Sequence, residues 1–243
     1  MARPRYDGRM RRATVLCLFG MALLACSAKK PSTADSGAIE EPDTGAADPD
    51  AGGCPAPPSV APADVAGKGF LAPVTVTYVR TVDGDTAHFV LPPSSPLAGE
   101  RTFRFLYVNT EEASGTAQTA FGVARVPVVR GWLEAAKEIQ VAMQDDGTGK
   151  PNADPYMRLL TLVFVDGALL QTRIVREGYS AYYALFGCPA SPTHESLLWA
   201  EAEAFGAKRG IWAPGHPTDY RPILSSWNVR GCRPNPFEAP YCP

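Results

Sequence analysis

From Ser27 to Lys68 the chain is rich in Pro, Ala, Gly, Asp and Ser, with almost no large apolar side chain before Phe70. Such a stretch buries too little surface to offset the entropy of ordering it, so residues 26–68 are expected to be a disordered acidic tether. Any core must come from the residues after Lys68. Residues 69–213 are long enough for one domain with a proper core. Residues 214–243 read as a Pro-rich C-terminal extension.

Ahead of the tether, Arg3, Arg5, Arg9, Arg11 and Arg12 precede an apolar run from Ala13 to Ala25. The run is too short to cross a bilayer as a stable helix. Charge followed by a short apolar run marks residues 1–25 as an export signal. The run closes on Leu23-Leu24-Ala25-Cys26, which resembles a bacterial lipoprotein signal, with Cys26 acylated and left as the first residue after cleavage. The alternative is a plain signal peptide with an incidental cysteine. Acylation would anchor the protein durably, since two chains hold where one is marginal. The expected location is therefore the bacterial cell envelope or surface, with the membrane as a partner through Cys26.

Beyond the leader remain Cys54, Cys188, Cys232 and Cys242. An even count in an oxidising compartment suggests two disulfides, with three connectivities open. Cys232 with Cys242 would close the extension, and Cys54 with Cys188 would staple the tether to the domain. No CxxC or Cys/His clustering supports a metal site instead. The whole chain carries a net charge of −2, and losing an Arg-rich leader makes the rest more acidic. A domain that grips long polyanions without specificity is usually basic, so a tight grip on long duplexes is not expected.

Within the domain, Val74 to Val79 is β-branched and alternating, Asp83-Gly84-Asp85 supplies a turn, and Thr86 to Leu91 alternates again, which predicts a hairpin. Arg101 to Val108 reads as a third strand, with Phe103, Phe105 and Tyr107 on one face and Arg104 and Leu106 on the other. Val123 to Ile139 reads as a helix that Pro127 must begin or kink. Leu159 to Val165 is an apolar strand turning at Asp166-Gly167. Leu169 to Glu177 is a short helix closed by Gly178, and Thr193 to Arg209 an amphipathic one. Strands, helix, strands, helices make the class α+β.

Chemistry-bearing residues fall at the ends of these elements. Arg104 stands ahead of Asn109-Thr110-Glu111-Glu112, the hairpin turn holds Asp83 and Asp85, and Asp154-x-Tyr156-x-Arg158 opens the later strand. These types suit attack on a phosphate diester. Oxygen donors hold a hard cation, a free carboxylate deprotonates water, and two guanidiniums clamp the diester. Each residue alone is more often a solvated surface group or a plain turn; their joint order carries the reading.

That order resembles the staphylococcal nuclease (thermonuclease) family along almost the whole of residues 74–213. Val82-Asp83-Gly84-Asp85-Thr86 is similar to its metal-binding hairpin. Phe103 through Glu112 is similar to the strand and turn with its first arginine, a metal ligand and the general base. Asp154-Pro155-Tyr156-Met157-Arg158 is similar to the segment with its second arginine. Asp166-Gly167, Val175 to Tyr179, Thr193-His194-Glu195, Glu201-Ala202 and Gly210-Ile211-Trp212 come after it in the family's order.

The resemblance implies an OB-type five-stranded β-barrel packed with about three α-helices, and Ca²⁺-dependent hydrolysis of DNA or RNA by a monomer. Carried over by position, it makes Arg104, Glu112 and Arg158 catalytic, with Glu112 the base. Asp85, Asn109 and the Thr110 carbonyl would hold Ca²⁺. Asp83 and Tyr156 would lie beside the site. Tyr182 and Tyr183 fall where the family stacks a base, and Tyr183 is taken as the substrate-facing one. Asn109 stands where the family has an aspartate, so the ion is expected to be held less tightly. Glu111 replaces a proline, and either restores the lost charge or loosens the turn that aims Glu112. Met157 replaces a glycine, which matters if the backbone there needs positive φ. His88, His194 and His216 are expected to be structural. The alternative function is a noncatalytic OB-type module binding nucleic acid or another ligand.

Overall fold

A computed structural model of the protein describes residues 57–227, apart from Phe186. Cys26 and the expected export signal lie outside the described residues, as do Cys54, Cys232 and Cys242. Cys188 is disulfide-bonded. The described residues form seven strands and four helices: β1 (Val74–Thr75), β2 (Thr77–Asp83), β3 (Thr86–Leu91), β4 (Gly99–Phe105), α1 (Ala120–Glu134), β5 (Ile139–Met143), β6 (Leu159–Val165), β7 (Ala168–Leu169), α2 (Leu170–Arg176), α3 (Thr193–Gly206) and α4 (Tyr220–Trp227). Short 3-10 turns at Pro62–Asp64 and Gly210–Trp212 complete the set. The fold is the expected α+β type.

The sheet runs β1-β5-β6-β4-β3-β2, with β7 paired to β6. Among the described residues no ladder joins its two ends, so the hydrogen-bonded sheet is open. Those ends are nevertheless consecutive in the chain, separated by Val76, whose N–H donates to Ile139 O at 2.9 Å. One bent run, β1 into β2, thus serves both edges and curls the sheet around its core. With β1 and β2 counted together, and β7 as a two-residue ladder after the Asp166-Gly167 turn, five principal strands remain. All pairings are antiparallel except β4 with β6. The core holds Phe89, Phe103, Phe105, Leu162 and Phe164, none of them exposed, with Phe89 and Phe103 meeting edge to face at 5.3 Å. Burying five such side chains contributes about 1.5–3 kcal/mol each.

The structure departs from the sequence reading at several places. The expected tether does not extend to residue 68, because Val60 and Val65 are buried in the core at 3% and 2% exposure. Apolar residues too sparse to form a core of their own can still complete another. The first helix is Ala120–Glu134, not Val123–Ile139, and Ile139 opens β5, a strand the sequence pattern does not predict. The helix stops because the N–H groups of Lys137 and Glu138 both donate to Asp166 Oδ1, at 2.8 and 2.9 Å. Pro127 sits inside the helix rather than in its first turn. The third strand ends at Phe105, since Tyr107 turns to φ 64°. The last long helix ends at Gly206, short of Arg209. The extension contributes α4, a fourth helix.

Gly178 closes α2 as expected. At φ 66° its N–H donates to Val175 O and that of Tyr179 to Ile174 O, the two bonds of a Schellman motif.

Candidate active site

Backbone pairing alone brings three segments of the proposed site together. β3 and β4 place Thr86 opposite Arg104, so Asp85, at the end of the hairpin turn, reaches the β4 strand, where Phe105 N donates to Asp85 O at 2.8 Å. The parallel pairing of Phe103 with Leu159 sets Arg158, one residue before β6, beside the same strand. The turn after β4 supplies Asn109 to Glu112. It is held from two sides, because Asn109 N donates to Ser180 Oγ at 2.8 Å and Thr119 N donates to Glu112 O at 3.0 Å. Gly122 of α1 makes the second contact possible: a Cβ there would collide with the carbonyls of Glu111 and Glu112. Gly84 does the same for the hairpin, since a Cβ would come within 2.7 Å of the Thr110 side chain.

A cleft of about 410 Å³ results, lined by Asp83, Asp85, Arg104, Asn109, Glu112, Asp154, Tyr156, Arg158 and Tyr183 among others. Eight of the nine residues expected at the site are therefore together. Thr110 is the exception. It is 5% exposed and lies behind the cleft, its N–H donating to Asp85 Oδ2 at 2.9 Å. Of the two tyrosines, Tyr183 lines the cleft, whereas Tyr182 is fully buried with its hydroxyl 3.0 Å from His194 Nδ1. None of the three histidines lines the cleft.

Arg104 is not a solvated surface arginine. Its side chain is 13% exposed and lies 3.0 Å from Asp85 Oδ2. Nη1 donates to the carbonyls of Phe105 and Val108, and Nη2 to Asn109 Oδ1 at 2.8 Å. These bonds leave Nε–H and one Nη2–H for a ligand. Arg158 is aimed by Asp154, which accepts from Nε at 2.6 Å and from the N–H groups of Tyr156 and Arg158. The sequence motif contains Asp154 but assigns it no role; its position four residues before Arg158 is the available signal. Glu112 is exposed at the cleft, and among the described residues no donor holds its carboxylate.

Asn109 Oδ1 already accepts from Arg104 Nη2 at 2.8 Å, so only its second lone pair is left for a cation. Among the described residues no group of three or more His, Cys, Asp or Glu is placed to hold a metal ion. The donors present are still hard oxygens of the kind Ca²⁺ takes. Burial, and then the neighbouring Asp85, push the Asp83 carboxyl up to about 7. Four carboxyl side chains, Asp83, Asp85, Glu112 and Asp154, face two guanidiniums in one cleft. Two of these carboxylates are paired, Asp85 with Arg104 and Asp154 with Arg158.

Met157, which replaces a glycine, does occupy the left-handed region at φ 62° while 80% exposed. Such a conformation costs an L-residue roughly 1–2 kcal/mol. Met157→Gly is expected to raise stability by about 0.5–1 kcal/mol after glycine's own entropy cost. Urea denaturation checks this; a loss of stability would show that the Met157 side chain packs favourably.

Residues 102–214 match the family described as staphylococcal nuclease homologue. The match starts inside β4, so the Asp83–Asp85 hairpin precedes it, and it ends before α4. The matched segment carries Arg104, Glu112 and Arg158 and the helices α1, α2 and α3. Over residues 102–214 the chain is therefore similar to the staphylococcal nuclease homologues.

Proposed function

We propose that this protein is a Ca²⁺-dependent nuclease that hydrolyses phosphodiester bonds of DNA or RNA, exported and held at the cell envelope through an acylated Cys26. The observation that carries the reading is the convergence of Arg104, Arg158 and an unencumbered Glu112 carboxylate on one cleft. Arg104, fixed by two carbonyls and Asp85, offers its remaining N–H groups to a non-bridging phosphate oxygen without having to reorganise. Arg158, steered by Asp154, binds the same phosphate from the β6 side. Negative charge that builds on the phosphate in the transition state falls between the two guanidiniums. Glu112 takes the proton of the attacking water. Asp85, Asn109 and the Thr110 carbonyl are the residues that would hold Ca²⁺, with Asp83 beside them, and the ion would polarise a phosphoryl oxygen when bound.

The test is plasmid nicking and single-strand digestion by the full chain with Ca²⁺, Mg²⁺ or EDTA. Ca²⁺-dependent cleavage is expected. Binding of an oligonucleotide without cleavage would instead support the noncatalytic OB-type module. Asn109→Asp restores a charge to the cage, and is expected to lower the Ca²⁺ concentration for half-maximal activity by about tenfold. An unchanged Ca²⁺ activation curve would remove Asn109 from the ligand set.

A further inference from the structure

The cleft accounts for Glu112 but not for the carboxylate beside it. Glu111 turns the other way, and its side chain is 7% exposed. Its Oε2 accepts from Thr119 Oγ1 at 2.6 Å. Its Oε1 accepts from Thr218 Oγ1 at 3.0 Å and from the Tyr220 hydroxyl at 3.1 Å. His216 Nε2 lies 3.5 Å from the same oxygen. Burial and the Glu111 charge push the Tyr220 hydroxyl well above its ordinary range, so it remains a donor. A buried carboxylate needs such donors, and here they come from three places: the N-cap of α1, the segment after Pro217 and the first residue of α4.

The partners at Thr218 and Tyr220 lie beyond residue 214, outside the family match, so this arrangement is not part of the matched segment. α4 is anchored by Tyr220 and Leu224, buried against Ala181 and Ile211. At its far end Trp227 meets the Tyr183 ring edge to face at 4.7 Å. The C-terminal segment thus touches the turn that bears Glu112 on one side and a wall of the cleft on the other. Residues 109–112 have no regular secondary structure, so side-chain and backbone tethers alone set where Glu112 points.

We propose that Glu111 is a positioning residue that latches residues 216–220 to the turn of residues 109–112, and that this latch aims the Glu112 carboxylate. The aiming role rests on the reading of Glu112 as the base; the latch itself does not.

Two variants of the full chain test it. Thr218→Val with Tyr220→Phe removes both donors to Oε1, and Glu111→Gln keeps the shape while removing the charge. Each is expected to lower kcat on a single-stranded oligonucleotide by about 10–100-fold with KM within about twofold, as misaimed groups do. Backbone amide exchange over residues 109–112 is expected to quicken in both. Thr218→Ser, which keeps the hydroxyl, is expected to behave as wild type. Unchanged exchange over residues 109–112 would overturn the latch, and faster exchange with unchanged kcat would overturn its aiming role. Should the wild type cleave nothing while exchange still quickens, the latch stands and the nuclease reading fails.

Discussion

Glu112→Gln is expected to lower kcat by about 10²–10⁴-fold, the usual contribution of a positioned general base, with KM and thermal stability close to wild type. The structural reason for so clean a separation is the position of the side chain. Glu112 is exposed at the cleft, and its carboxylate holds up no other group among the described residues, so the amide disturbs nothing in the fold. Surface changes of this kind cost within about 0.5 kcal/mol. The turn stays in place because its tethers use the backbone of Glu112, not its side chain. Glutamine retains size and polarity but cannot accept the water's proton. Steady-state kinetics with Ca²⁺ and a melting curve decide the matter. A variant as fast as wild type would assign the base elsewhere, and Asp83, whose carboxyl is pushed up to about 7, would be the next residue to examine.

The parts of this site that are legible in the sequence are those whose geometry is set by neighbouring residues. Asp83-Gly84-Asp85 announces a tight turn, and a hairpin closes on it, Asp83 pairing with Thr86. Asp154 and Arg158 stand four residues apart, and their pairing is local. Gly178 ends α2 through bonds made within a few residues of itself. The parts that could not be read depend on partners far along the chain. Nothing in Glu134 to Ile139 breaks a helix by composition; the break comes from Asp166, at the far end of β6. Val60 and Val65 look isolated in a polar stretch until the curled sheet offers them a surface. Asn109 reads as a free amide in the sequence, yet Arg104, on the strand before it, donates to its oxygen. Glu111 meets its partners only because the extension folds back from the far end of the domain. The resemblance locates the residues; their hydrogen bonds show which are free to act.

Arg104→Ala is expected to damage the fold as well as the chemistry, which separates it from Glu112→Gln. Arg104 and Asp85 are 13% and 7% exposed and 3.0 Å apart. Removing the guanidinium leaves a nearly buried carboxylate beside Asp83, whose own carboxyl already resists ionisation there. Breaking one side of such a pair costs about 3–5 kcal/mol, because the remaining charge stays desolvated. The carbonyls of Phe105 and Val108 lose their donor at the same time. Adding Asp85→Asn should recover a substantial part of that loss, since the orphaned charge goes with it, but should restore no cleavage. Urea denaturation of the two single variants and the double one closes a thermodynamic cycle. A cost for Arg104→Ala below about 1 kcal/mol, the range of an exposed ion pair, would mean the pair is well solvated. Arg104→Lys keeps a positive charge for Asp85 but lacks the fork that grips two oxygens at once. It should therefore be more stable than Arg104→Ala while remaining nearly as inactive. The proposed clamp on the phosphate and the clamp on the hairpin are thus the same side chain, held at the strand where the Asp83–Asp85 turn, the Glu112 turn and the second arginine meet.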